Sequence, residues 1–312
     1  MLSRRNVRIK VMQMLYALSR DPQLSMEEAM RRYRESVSRS FELYLFYLYY
    51  VVKIAEYTRK DAERRAAKYL PNEEDKYFTP RLFENDLVKS LTGNQELGRL
   101  YQRYRIVSKV DDDMVRAIYT EFSKKESYKA YLQKAHPDAE DHAAQLLDLV
   151  RLCLSSESLS DATEDWYPNW EDDKSLVTGA LKKTFKALPA SPGFYEDYLP
   201  PEEATVEFGE TLLTAVHDKD AELLSAIEPT LKNWDVQRVA ILDMIMLKMA
   251  LCELLSFPTI PTKVTLNEFV EISKQYSTEK SKDFINGILD RLLKQLLTEG
   301  KIKKEGRGLL DN

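Results

Sequence analysis

Apolar residues recur at the three- to four-residue spacing of amphipathic helices along most of the chain. Val7, Val11 and Leu18 lie on one such stripe near the start, and Asp21-Pro22 ends it. The pattern predicts a first helix over about residues 3–18, then a long helical region over roughly 25–70 that Pro71 closes. Beyond residue 200 it predicts five more helices, at about 205–217, 219–232, 235–256, 264–276 and 279–299.

Residues 72 to about 188 also carry helical stripes, joined by polar segments, and no segment shows the alternation of a half-buried strand. We therefore predict an all-α protein. The segment 188–204 contains four prolines and a glycine, which is typical of a linker. The predicted division is a helical N-terminal region over 1–200, which includes the Arg-rich first helix, and a helical C-terminal domain over 201–312. The basic tail KIKKEGRG is expected to be frayed.

Two stretches, 43–52 and 239–255, are apolar enough to consider for membrane insertion. Both fall short of the roughly 20 residues that a spanning helix needs. Asp243 and Lys248 also interrupt the second stretch. We predict buried helices and no membrane association. The N-terminus lacks the apolar region of a signal peptide, and the two cysteines are isolated, so we expect a reducing, cytoplasmic setting.

The charge of the chain is unevenly distributed. The formal net charge is −5, yet residues 1–69 hold fifteen Lys and Arg against eight Asp and Glu. A basic front end favours a polyanionic partner at one place on the molecule. The alternative is an ordinary solvated helical face.

Nothing in the sequence predicts catalysis. It has no glycine-rich dinucleotide loop, Walker loop, nucleophile elbow or HExxH motif. His136 and His142 flank acidic residues without a metal-ligand spacing that would single them out. We therefore predict no catalytic residue, no metal and no cofactor.

The last predicted helix contains an unfavourable residue. In FINGILDRLL (284–293) the apolar residues have helical spacing, but Asn286-Gly287 interrupts them. A glycine there costs about 1 kcal/mol relative to alanine. Without a Cβ, Gly287 would let a ligand or another backbone come close, and simple helix–helix packing is the alternative explanation. Upstream, Thr265 and Glu268 have the spacing of a capping box.

The order of residues in this C-terminal region resembles the NusB family of transcription antitermination factors. The opening segment SRRNVRIKVMQMLYAL is similar to the first helix of that family. The resemblance covers roughly residues 3–20 and 205–297; residues 25–200 exceed the family pattern, and the resemblance implies nothing about their role. The C-terminal segments that carry it are Cys252-Glu253-Leu254, Pro261, Val264-Thr265-Leu266-Asn267-Glu268, Lys274-Gln275-Tyr276 and Phe284-Ile285-Asn286-Gly287-Ile288-Leu289.

The resemblance implies a single-stranded RNA site where the Arg-rich helix meets the FING segment. Such a site needs cations for phosphates and flat groups for unstacked bases. Tyr16 and Phe284 are candidate stacking groups, although Phe284 has the spacing of a core residue as well. The full set of expected RNA contacts is Arg4, Arg5, Arg8, Lys10, Gln13, Tyr16, Lys280, Lys282, Phe284, Asn286 and Gly287.

The resemblance also implies a protein partner, the NusE-like small-subunit ribosomal protein. Asp243 lies in an apolar helix, where an unpaired carboxylate is costly, and matches an acidic position of the helix that contacts the partner in the family. An internal pair with a basic residue such as Arg238 is the alternative. Glu253 and Glu268 are expected to be structural.

The expected function is therefore non-enzymatic. The protein would bind boxA-like RNA with NusE inside an RNA polymerase antitermination complex, notably on ribosomal RNA operons. The alternative is a helical protein-interaction scaffold that has lost RNA binding.

Overall fold

The structure is a computed structural model that describes residues 1–231 and 238–310. Those residues form helices and loops without a strand, so the all-α prediction is confirmed. The parts of the predicted 219–232 and 235–256 helices that fall within 232–237 lie outside the described residues. The α-helices are α1 (Arg4–Arg20), α2 (Met26–Ala66), α3 (Asp86–Thr92), α4 (Gln95–Arg103), α5 (Asp112–Phe122), α6 (Glu126–Gln133), α7 (Ala139–Ser155), α8 (Glu157–Trp166), α9 (Trp170–Lys186), α10 (Thr211–Asp218), α11 (Asp220–Ile227), α12 (Ile241–Ser256), α13 (Thr262–Tyr276) and α14 (Ser281–Thr298).

The chain divides into two compact units. The central unit comprises Met1 and Ser38–Leu199, and the terminal unit comprises Leu2–Val37 and Pro200–Asn312. The terminal unit thus contains α1 together with the C-terminal helices, whereas the division predicted from sequence groups α1 with residues up to 200. That prediction concerns the organisation of the chain into domains, and it stays a prediction.

The terminal unit is built around α12. This helix contacts α1, α10, α11, α13 and α14, and every residue from Ile245 to Leu254 is buried. A helix surrounded in this way needs apolar residues on all sides, which explains why 239–255 is so uniformly hydrophobic. The helix also holds three buried polar groups, those of Asp243, Lys248 and Glu253, each of which has a partner.

A π-helix over Glu203–Glu210 leads directly into α10 and packs against α1. Its Gly209 allows a close approach: a Cβ there would lie 1.9 Å from the Tyr33 hydroxyl and 2.6 Å from Val7. The Tyr33 hydroxyl donates to the carbonyl of Thr205 at 2.8 Å. Because glycine has no Cβ, the π-helix can pack closely against both α1 and the start of α2 at this position.

The core of the central unit is formed around the aromatic part of α2. The side chains of Tyr44, Tyr47 and Tyr50 are almost fully buried. Their hydroxyls are hydrogen-bonded to three different elements, namely Thr184 in α9 at 2.8 Å, Thr163 in α8 at 3.1 Å, and the backbone N–H of Asp111 before α5 at 3.2 Å.

Two buried aspartates, Asp61 in α2 and Asp75 in the loop that follows it, share Arg65 as a hydrogen-bond donor. The Asp61 carboxylate accepts from Arg65 at 2.7 Å and from the Tyr119 hydroxyl at 2.8 Å. Arg65 also donates to Asp75 at 2.9 Å, and Lys68 donates to the same carboxylate. These bonds satisfy both carboxylates and tie α2 to the loop that follows it and to α5.

Most residues of the two apolar stretches considered for membrane insertion are buried, in α2 and in residues 243–254 of α12. Among the helices of the described residues, none is long and apolar enough to span a bilayer.

Candidate nucleic-acid interface

Helix α1 starts with a local cap that positions two arginines. Ser3 is the N-cap and forms a capping box with Asn6. This places Arg4 and Arg5 in the first turn. The Arg4 guanidinium donates to Glu203 at 2.7 Å, and the Arg5 guanidinium donates to both oxygens of Glu268 at 2.8 Å. Arg5 remains about half exposed, at 49%.

Arg8 lies one turn further along and has a different environment. Its side chain is only 2% exposed and makes two bonds of 2.7 Å to the fully buried Glu253. The Thr265 hydroxyl donates to the same carboxylate at 2.7 Å. Helix α13 begins at Thr262, so Thr265 lies inside the helix and is not its N-cap. The capping box predicted for Thr265 and Glu268 was wrong, whereas the structural role expected of Glu253 and Glu268 is what their contacts show.

Two of the expected RNA contacts are thus interior residues. Arg8 and Lys10 are each 2% exposed, so neither side chain is open to solvent as Arg5 is. Their burial disfavours direct RNA contact, and the expectation that both contact RNA stays a prediction. For Arg8 the cause is its pairing with Glu253, which sequence spacing on α1 alone does not reveal. On the same helix, Gln13 is partly buried and Tyr16 is 40% exposed.

The other expected contacts lie at the start of α14. Lys280 is its N-cap, Lys282 and Asn286 are exposed on one face one turn apart, and Phe284 is partly buried. A Cβ added to Gly287 would meet no atom within 4 Å. Within the described residues, then, no helix packs closely on Gly287, so intramolecular packing does not explain the glycine.

Arg5 of α1 lines two depressions that it shares with residues of α13. The first, which we call the arginine groove, has a volume of about 540 Å³. The second, of about 270 Å³, is lined by Arg5 with Glu271, Ile272, Lys274 and Gln275 of α13. The arginine groove is lined by Ser3, Arg4, Arg5, Arg8, Thr259, Ile260, Pro261, Val264, Glu268, Arg307 and Leu310.

Glu271 lies among basic residues at this second depression. The hydrogen bond from Lys274 lowers the pKa of Glu271, and the charges of Arg5 and Lys282 lower it further. That α1 and α14, two distant segments of the chain, meet at one RNA site stays a prediction.

Asp243, the expected partner contact, is 5% exposed. Its carboxylate accepts from Ser277 at 2.6 Å and from Ser281 at 2.8 Å, which ties the start of α12 to the start of α14. One of the two reasons for assigning it to a partner was an unsatisfied buried carboxylate, and these hydroxyls remove that reason. The assignment itself stays a prediction.

An apolar groove of about 540 Å³ lies elsewhere on the terminal unit. Ile241, at its edge, is 42% exposed. The Lys248 ammonium, paired with Asp220, forms part of its polar wall. The groove is lined by Leu15, Leu18, Ser19, Val216, His217, Asp220, Leu224, Val239, Ile241, Met244, Ile245 and Lys248.

Sequence reasoning missed two basic residues of this surface, Lys274 and Arg307. Lys274 was quoted only as part of a motif. Arg307 belongs to the tail that was expected to be frayed, but a 3-10 helix over Gly306–Leu309 places it in the arginine groove. The sequence signal that could have drawn attention to Arg307 was the glycine on either side of it, Gly306 and Gly308. In the part of the chain that the structure describes, no cluster of His, Cys, Asp and Glu has the geometry of a metal site.

Comparisons with known proteins agree on one family. The model of the NusB family matches residues 178–294. A transcription antitermination protein NusB from Salinibacter ruber is 39% identical over 107 residues, which is 34% of this chain and 67% of that protein. One from Bacillus mycoides is 39% identical over 97 residues, 31% of this chain and 75% of the relative. One from Chloroherpeton thalassium is 44% identical over 79 residues, but that match covers 25% of this chain and only 37% of the relative.

The chain therefore belongs to the NusB family, whose members are non-enzymatic transcription antitermination factors. No solved structure matches it. The family match begins at residue 178 and so does not include α1, whose likeness to the first helix of the family remains a prediction.

Proposed function

We propose that this protein binds single-stranded boxA-like RNA together with a NusE-like small-subunit ribosomal protein. The complex would act with RNA polymerase in antitermination, notably of ribosomal RNA operons, in the cytoplasm. The single observation that carries the proposal is the position of Arg5. This half-exposed guanidinium lines both the arginine groove and the depression beside α13.

The proposed RNA path follows from that position. RNA phosphates would replace Glu203 as the partner of Arg4 and Glu268 as the partner of Arg5. This replacement is possible because a guanidinium group can bind a carboxylate or a phosphate with the same bidentate geometry. Lys280 and Lys282 would continue the path to α14. There Asn286 can bond to a base edge, Gly287 leaves room for the RNA backbone, and Phe284 offers a ring. Gln13 and Tyr16 would contact those RNA bases that lie along α1.

The protein partner requires a separate surface. We assign the NusE-like protein to the apolar groove beside Ile241, since an exposed apolar depression is the usual core of a protein interface. Ile241→Glu should abolish partner binding and leave RNA binding unchanged. Leu297→Glu is the matched control, because Leu297 is also exposed, at 57%, but does not line the groove.

The RNA site is tested by titrating the protein with a short boxA-like RNA at several salt concentrations, with and without the NusE-like protein. For single strands the logarithm of affinity falls with the logarithm of salt by about 0.7 per phosphate contact. Arg5→Ala should weaken binding and reduce that slope. Arg20→Ala on the same helix is the control, since Arg20 is exposed but lines neither depression.

The competing hypothesis is a protein-interaction scaffold without an RNA role. It predicts that the large helical region over 25–200 binds another partner, while the RNA shows no salt-dependent binding to the wild type. An unchanged affinity and slope for Arg5→Ala would likewise count against the RNA path proposed here.

A further inference from the structure

The C-terminal tail, residues 301–310, is docked on the loop between α12 and α13. The backbone N–H of Glu305 donates to the carbonyl of Pro258 at 3.0 Å, and the Lys304 ammonium donates to the carbonyl of Phe257 at 3.0 Å. The tail therefore has defined hydrogen bonds to a loop that is far away in sequence, and it forms one wall of the arginine groove.

Two glycines shape this contact. Gly306 has a φ of +53°, a left-handed conformation that glycine adopts without the strain a side chain would impose. Gly308 is buried, and a Cβ there would lie 2.0 Å from the carbonyl oxygen of Pro258. Because the obstacle is backbone, no rotamer change can relieve the clash. Any larger residue at 308 must push the tail off the loop.

The residue between these glycines is Arg307, which the docked tail holds in the same groove as Arg4 and Arg5. Arg4 and Arg5 are each paired with a glutamate. By contrast, no carboxylate within residues 1–231 and 238–310 forms an ion pair with Arg307, whose side chain is exposed. Arg307 therefore adds positive charge to the groove that no described partner offsets.

We propose that the docked tail is part of the RNA site and that Arg307 binds a backbone phosphate next to those bound by Arg4 and Arg5. This inference rests on the proposed function, because the ligand is the same single-stranded RNA. It adds that a segment outside the α-helices completes the site, and that the two glycines serve to position one guanidinium.

Three variants test the proposal with the full chain and a short boxA-like RNA. Arg307→Ala should weaken binding about ten-fold, the usual effect of losing one charge-assisted hydrogen bond, and reduce the salt slope by about 0.7. Gly308→Ala should weaken binding to a similar extent although it removes no charge. Lys303→Ala is the control, since it removes an exposed tail cation that does not line the groove.

Hydrogen exchange at the Glu305 amide reports whether the tail is docked, because that amide is bonded to Pro258. Gly308→Ala should lose this protection. Gly179→Ala is the control and should keep it, because a Cβ at Gly179 meets no atom within 4 Å. Unchanged RNA binding by Arg307→Ala would overturn the proposal. An undocked Gly308→Ala tail with wild-type affinity would overturn the positioning role of the tail.

These outcomes are distinguishable from failure of the proposed function. If the wild type shows no salt-dependent RNA binding, the proposed function itself fails. If Arg5→Ala weakens binding and Arg307→Ala does not, only the inference about the tail is wrong.

Discussion

Arg8 of α1 and Glu253 of α12 form a bidentate ion pair in the interior of the terminal unit, with both nitrogen–oxygen distances at 2.7 Å. Thr265 of α13 donates to the same carboxylate. Three helices thus meet at one buried carboxylate. Arg5 binds Glu268 of α13 one turn earlier on α1, and Arg8 also lies 3.7 Å from that carboxylate. The two arginines differ in exposure: Arg8 is buried between the helices, whereas Arg5 remains half exposed at the surface.

The first prediction concerns the contribution of the Arg8–Glu253 ion pair to stability. Arg8→Leu leaves Glu253 charged, buried and without its guanidinium, which should lower the free energy of unfolding by about 3–5 kcal/mol. The double variant Arg8→Leu/Glu253→Leu should recover most of that loss, because an apolar pair carries no desolvation cost. Urea denaturation measures both. If the double variant were as unstable as the single one, the pair would not be the cause.

Gly287→Ala should have opposite effects on stability and on RNA binding. The added methyl group meets no atom within 4 Å, so the substitution should stabilise α14 by about 0.5–1 kcal/mol. If RNA passes over Gly287, its affinity should fall. Thermal unfolding and RNA titration of the same preparation give the two numbers. A stabilised variant with unchanged RNA affinity would show that the glycine does not serve the RNA.

Asp243→Ala tests the role of that carboxylate. Loss of the acceptor for Ser277 and Ser281 should destabilise the protein by about 1–3 kcal/mol. Asp283→Ala, which removes an exposed carboxylate on α14, is the control and should change stability little. Binding of the NusE-like protein to folded Asp243→Ala should match the wild type if the role is structural. A stable variant that fails to bind would restore the partner assignment.

The central unit should lose stability in acid. Hydrogen bonds from Lys68, Asn72 and Arg65 hold the pKa of Asp75 at about 2. Because this pKa is below the value of about 3.9 for an unfolded aspartate, the stabilisation is fully present above about pH 4 and is lost as the pH falls towards 2. Asp61 adds to the effect, since its net pKa is lowered by Arg65 despite the opposing desolvation.

Circular dichroism across this pH range measures that loss. Asp75→Asn should be less stable at neutral pH and should show a shallower decline in acid. Asp86→Asn is the control, because the Asp86 side chain is 95% exposed. A variant whose acid transition was as steep as that of the wild type would mean that other carboxylates are responsible.

The all-α fold and the approximate helix bounds could be predicted because apolar spacing is a local property. The first helix was expected at 3–18 and is found over Arg4–Arg20. The partners of its side chains could not be predicted in the same way. The carboxylate that takes Arg8 into the interior is 245 residues away in the chain. Likewise, only the fold shows that Ser277 and Ser281 satisfy Asp243 and that the basic tail has a docking site.

The tyrosines of α2 have a consequence for the central unit. Tyr44, Tyr47 and Tyr50 project over about a third of the helix circumference, and each hydroxyl has its own partner in a different element. An aliphatic helix in the same place could rotate about its axis and still bury its side chains. Here a small rotation would break all three bonds at once, so the hydroxyls fix the azimuth of the helix in a way that apolar contacts cannot.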